Sequence, residues 1–142
     1  MNKKLIIVVV ALLAVAGLGY KFVLAKPADA EKPKVDGVVY VLPKEFLVNL
    51  ADGRYAKFMA ALVLEEEPHA ADGHASPPEG YGTMAEEAVV RDVITDVVSS
   101  VKGDVLANAE SRETVKKAVK KALTKKTDLH VHDVLFPDVT VQ

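Results

Sequence analysis

The chain has 142 residues, room for one domain and an appendage. Hydrophobic residues make up 50% of it and aromatics only 6%, so the apolar content is aliphatic, and a formal net charge of -2 argues against general nucleic-acid binding. With no cysteine there is no disulfide framework, thiolate zinc site, thiol nucleophile or lipid anchor on Cys.

The chain opens with a short polar stretch, residues 1–4, carrying Lys3 and Lys4. An apolar run follows over residues 5–25, interrupted by a charge only at Lys21. As a helix it would rise about 31 Å, enough to cross a hydrocarbon core of about 30 Å. Lipid offers no partner for backbone N–H and C=O groups, so helix is the expected conformation. Lys3 and Lys4 favour a cytoplasmic N-terminus, and the Lys21 ammonium can reach up toward headgroups beside an interfacial Tyr20. The alternative is a cleaved signal peptide, with small-x-small sites at Val23-Leu24-Ala25 and Ala28-Asp29-Ala30. Either way the remainder leaves the cytoplasm. Residues 26–37, rich in Pro, Ala, Lys and acid, are expected to be an extended linker.

From residue 38 a mixed domain is expected. Gly37 to Leu50 reads as a strand in which Phe46, Val48 and Leu50 share one face and Pro43 needs an edge or a bulge. Asp52-Gly53 predicts a tight turn with positive φ values, and Tyr55 to Glu65 the return strand, apolar on both faces. Glu65 to Thr83 cannot build a core and reads as a long loop. Thr83 and Glu86 fit a capping box before a helix to about Lys102. Its stripe is Val90, Val93, Ile94, Val97, Val98 and Val101, with Arg91, Thr95, Asp96 and Ser99 on the wetter side. Gly103 is expected to end it, leaving Asp104-Val105-Leu106 as connection. Ser111 is expected to open a second helix to about Lys125 around Val115, Ala118, Val119, Ala122 and Leu123. Leu129 to Phe136 predicts a third strand that continues through Val139-Thr140-Val141 beyond Pro137. One sheet burying a face against two amphipathic helices makes a small α+β domain.

Candidate chemistry is sparse. His130 and His132 would share a strand face, a metal half-site without enough further ligands, so no metal is expected. Glu65, Glu66, Glu67 and Asp72 sit in the loop, where nothing fixes or desolvates them for acid–base work. No Ser-His-Asp spacing, phosphate loop or dinucleotide fingerprint is present. Lys116, Lys117, Lys120, Lys121, Lys125 and Lys126 crowd the second helix. Their ordinary reading is a solvated face. The functional one is contact with anionic headgroups or an acidic partner, carried by Lys116, Lys117, Lys120 and Lys121.

Several stretches together resemble the flagellar basal-body-associated FliL family. They are Tyr40-Val41-Leu42-Pro43-Lys44-Glu45-Phe46-Leu47-Val48-Asn49-Leu50, the turn Ala51-Asp52-Gly53-Arg54 with Tyr55 and Lys57 behind it, Arg91-Asp92-x-Ile94 running to Ser99-Ser100, and Val134-Leu135-Phe136 to Val139-Thr140-Val141-Gln142. The chain departs from the family's pattern where Gly103 interrupts the end of the first helix. The resemblance covers residues 38–142, with the apolar segment where the family has its membrane helix. It implies a domain similar to the SPFH (stomatin-like) fold on the extracytoplasmic side of the inner membrane, at the flagellar basal body. It also implies a non-enzymatic protein without cofactor that self-associates, rings included, and supports the stator units of the motor in torque and swarming. The alternative function is a periplasmic binding or adaptor module released by signal-peptide cleavage.

Overall fold

The computed structural model describes residues 35–70 and 77–142. The apolar segment at 5–25 and nearly all of the linker lie outside the described residues, as do Asp72 and His74. Among the described residues, no helix is long and apolar enough to cross a membrane.

Strand alternation behaves as the sequence requires. Phe46, Val48 and Leu50 are buried, whereas Leu47 between them is 71% exposed. The elements in order are β1 (Val38–Val41), β2 (Phe46–Asn49), β3 (Tyr55–Phe58), β4 (Ala61–Leu64), α1 (Glu87–Ser99), α2 (Gly103–Ala107), α3 (Ala109–Lys126), β5 (Val131–Leu135) and β6 (Val139–Val141). The domain is α+β, but the expected single sheet is two: β1-β4-β5 and β2-β3-β6, antiparallel throughout.

The two sheets are built from the same three stretches of chain, each bent once. The first bends between Val41 and Phe46, the middle one at Met59-Ala60, and the last between Leu135 and Val139. Pro43 and Pro137 lie in the outer two bends, where the missing N–H removes no ladder bond. The bends stay joined through two backbone bonds, Leu42 N to Ala60 O and Met59 N to Asp138 O, both 3.0 Å. Along them runs an aromatic row. Phe46 and Phe58, opposite each other in register, stack with centroids 4.9 Å apart, and Phe136 tilts against Phe58 at 5.1 Å. The return strand is apolar on both faces only in β4, where Ala61 and Val63 are buried on the face opposite the main core, flanked by Val39, Val41 and Leu135.

The turn departs from its expectation in one detail. Gly53 alone takes a positive φ, 83°, and Asp52 does not. Leu50 N reaches Arg54 O and Gly53 N reaches Leu50 O, so three residues make the loop and one left-handed position suffices.

The helices differ at their ends. The capping box is not formed: α1 starts at Glu87 and makes no side-chain cap bond. It stops at Ser99, where the Ser99 and Ser100 hydroxyls donate to the carbonyls of Asp96 and Val97. Gly103 does not terminate that helix but begins α2. α3 starts at Ala109 rather than Ser111, because Asn108 Oδ1 accepts from Ser111 N at 3.0 Å and sets the cap earlier. Val115, Val119 and Leu123 are buried in α3, Ala122 is half-buried, and Ala118 is exposed.

The core gathers Phe46, Phe58, Leu62, Ile94, Leu106, Val119, Leu123 and Val134 among others, filling the space between the sheets' inner faces and the helices. Phe58 is 1% exposed and touches both other rings. Phe58→Ala is expected to destabilise the domain by about 3–5 kcal/mol, read from the urea midpoint of the purified chain.

Candidate functional site

The lysine-rich helix carries the residues expected to touch a partner, and its register divides them. Lys116 Nζ lies 2.5 Å from Glu113 Oε1, with its side chain only 15% exposed. Lys120 Nζ donates to His132 O at 2.6 Å. Both spend their charge on the domain itself. Lys117 and Lys121 are exposed and pair with no acid among the described residues, and Lys125 continues their line one turn further. Lys126 turns the other way, toward Asp92 and Asp96 of α1 at 3.8 and 3.5 Å. Lys116 is thus paired within the helix, Lys120 and Lys126 reach other elements, and Lys117, Lys121 and Lys125 form a row of ammoniums with no acid partner among the described residues.

A second cluster ties the β2–β3 hairpin to the helices. Asp52 accepts from Arg54 Nε and Nη2 at 3.1 and 2.7 Å, and from Gly103 N at 2.9 Å. The same Arg54 nitrogen reaches Asp104 Oδ1 at 2.8 Å, and Ala51 N donates to Val101 O. The carboxylate therefore caps the first residue of α2 across the fold. A Cβ at position 103 would stand 2.6 Å from the Arg54 guanidinium carbon, so a side chain there would displace the guanidinium from the clasp. The Arg54 and Gly103 donors hold the Asp52 carboxyl at about 2, below its usual 3.8, and the two aspartates raise the Arg54 guanidinium.

A third cluster went unread in the sequence. Glu87 is 1% exposed, and its Oε2 accepts from the Tyr40 hydroxyl and from Gly82 N, both at 2.7 Å. The Tyr40 oxygen accepts in turn from Met84 N at 3.3 Å. Burial pushes the Tyr40 phenol up, and the hydrogen bond to Glu87 adds to the push. Arg91, expected on the wetter side, is instead half-buried: its guanidinium lies 4.2 Å from the Phe46 ring centre, with Tyr81 at 5.6 Å. Its Nη1 stands 3.8 Å from Glu87 Oε1, an electrostatic contact without a hydrogen bond. Burying these groups has a function in the fold: they pin the returning end of the 65–83 loop onto β1, and Ala70 bridges to Met84 beside them. One signal was available. Glu87 is in helical phase with Val90 and Ile94, so an acid occupied the apolar stripe with Arg91 one turn on.

The remaining candidates stay apart. His132 is the extra residue where β5 bulges against Leu64, so the strand is out of step between the two imidazoles. His130 Nδ1 faces Glu65 Oε2 at 3.4 Å. Among the described residues no three potential metal ligands converge. Glu65, Glu66 and Glu67 are all exposed. An open hollow of about 510 Å³ is lined by Glu65, Lys120, Thr124, Asp128, His130 and His132, among others. Mixed charge and wide exposure give it no preorganised reacting centre.

Residues 39–142, the sheets and helices together, match the family described as flagellar basal body-associated protein FliL. The chain belongs to the FliL family. No curated protein matches the chain individually. Family membership associates it with the flagellar basal body, and makes flagellar components its partners. The stretches that carried the resemblance now have physical roles. Phe46 supplies the ring under Arg91, Asp52 and Arg54 make the clasp, and Gln142 exchanges backbone bonds with Tyr55 at the end of β6.

A depressed folded-state carboxyl contributes stability that is complete above pH 3.8 and vanishes as pH falls through about 2. Asp52→Asn should therefore be less stable than the parent at neutral pH, with the gap closing across that window in urea titrations at stepped pH. Tyr40→Phe leaves the buried Glu87 carboxylate one donor short and should cost about 1.5–3 kcal/mol in the same assay.

Proposed function

We propose that this FliL-family chain is a non-enzymatic, single-pass inner-membrane protein whose domain stands outside the cytoplasm, self-associates, and supports the stator units of the flagellar motor. The observation that carries the reading is the family match across residues 39–142, which takes in nearly the whole described domain. The apolar segment at 5–25, long enough for a bilayer, supports the anchor. The arrangement of charge supports an architectural role. Asp52, Arg54 and Glu87 make hydrogen bonds that brace one element against another, and Arg91 rests on the Phe46 ring. Confinement to a membrane raises the effective concentration of weakly associating copies, so ring or arc assembly needs no large apolar interface. The resemblance to the SPFH fold belongs to the same proposal.

Deletion of the gene should weaken swarming and motility under high load while leaving filament export intact, and a tagged chain should form foci at the flagellar base that depend on the stator. Normal swimming at every load, with foci scattered at random, would reject the role. Intact mass of the purified chain addresses the anchor separately, since a mature N-terminus at Lys26 or Glu31 would mean a released periplasmic module.

A further inference from the structure

We infer that Lys117, Lys121 and Lys125 form a docking stripe for the anionic headgroups of the bilayer in which the chain is anchored, while Lys120 ties the stripe's helix to β5. The inference rests on the anchored reading above.

The division of labour on α3 is the starting point. Lys116 is engaged by Glu113 and Lys120 by the His132 carbonyl. Lys117, Lys121 and Lys125 recur every fourth residue, so their stems emerge about 6 Å apart along one side of the helix. With Lys120 and Thr124 they line a shallow hollow, whereas Glu65 and Asp128 line the neighbouring groove beyond the shared Lys120–Thr124 line. Glu113, 57% exposed and paired with Lys116, stands one turn before Lys117 at the head of the same row, and from Lys117 to Lys125 the row carries no acid.

The position of the stripe supplies the second argument. The described chain enters the domain at Val35 and joins the sheet at Val38, which pairs with Leu64. Leu64 pairs with Val131, next to the His132 carbonyl that Lys120 grips. Two strand spacings, about 10 Å, separate the entry point from the edge on which this part of α3 rests. The lysines and the linker's arrival are therefore at the same end of the domain. Residues 26–37 can span at most about 40 Å, so the linker tethers this end of the domain within reach of the lipid surface.

Composition selects lipid over an acidic protein. Protein interfaces centre on aromatic and arginine anchors and are depleted in lysine. The stripe has only lysines, with one threonine between them. Compact, mobile ammonium charges suit a laterally fluid layer of phosphates, which imposes no fixed bidentate geometry.

The test uses the full chain in nanodiscs. Because the sequence has no cysteine, Thr124→Cys gives a single site for an environment-sensitive fluorophore, and Leu47→Cys a control on the exposed sheet face. Discs of phosphatidylcholine alone are compared with discs containing one third phosphatidylglycerol. The Thr124 label should report a less polar, salt-sensitive environment only with phosphatidylglycerol, and the Leu47 label should not change. Each lysine is expected to contribute about fivefold, so Lys117→Glu, Lys121→Glu and Lys125→Glu together should lower the docked-to-free ratio by about a hundredfold. The neutral set Lys117→Gln, Lys121→Gln and Lys125→Gln, checked by circular dichroism, guards against loss of fold and should also lose the response. Equal signals in both lipids overturn the inference, as does a response that survives charge reversal. Loss of motility in the reversed variant without any lipid-dependent signal would also overturn it, assigning the stripe to an acidic protein. A chain that fails to co-purify with either disc overturns the anchored reading and this inference with it.

Discussion

The domain depends on three strands bending at the same level. Phe58 marks the bend of the middle strand, with Phe46 stacked on one side and Phe136 tilted on the other, each beside the bend of its own strand. Bending a sheet opens its inner face and threatens to leave both a void and unpaired backbone. The rings occupy the volume, and the bonds Leu42 N to Ala60 O and Met59 N to Asp138 O carry the ladder across. Arg91 then closes the row from the helix side, resting on Phe46 and donating to Glu45 O. Sheet curvature and helix placement are in this way set by one contiguous group of side chains.

Around that row the domain uses charge for positioning. The hairpin turn reaches the α1–α2 junction through Asp52, and the long loop is returned to β1 through Glu87 and Tyr40. Lys126 links α3 to α1. The exposed contacts contribute little each, and their geometry matters more than their energy. The Glu87 cluster differs because water is excluded from it, so every unmatched polar atom there is costly. These links run between elements distant in sequence and hold the outer surfaces of the domain in fixed relation.

Much of this was legible beforehand. The strands around Phe46 and Phe58, the turn at Gly53 and the two long helices follow from periods of two and 3.6 and from turn chemistry. The errors share a cause. Gly103 in a helical run reads as a stop, yet it starts α2, because a carboxylate from a distant hairpin caps its N–H and the Arg54 guanidinium lies where a Cβ would stand. Thr83 and Glu86 have capping-box spacing, but the adjacent Glu87 is drawn inward by Tyr40. Arg91 looks like a solvent residue by type, and only the Phe46 ring explains its burial. The lysines were visible as a cluster, but not which of them the fold occupies, since His132 O is a backbone acceptor brought close by a bulge. Local pattern locates elements. It does not report partners that tertiary structure supplies.

The strand order also bears on how the domain comes into being. β3 and β4 lie in the middle of both sheets, but one flank of each is filled by β5 and β6, which follow all three helices in the chain. Until that last stretch arrives, β4, apolar on both faces, presents an open edge. During synthesis this edge stays open until the final residues of the chain are available. Non-local pairing of this kind is slow and prone to wrong associations. Such a chain would benefit from a holding factor engaged before the final strand closes the sheet.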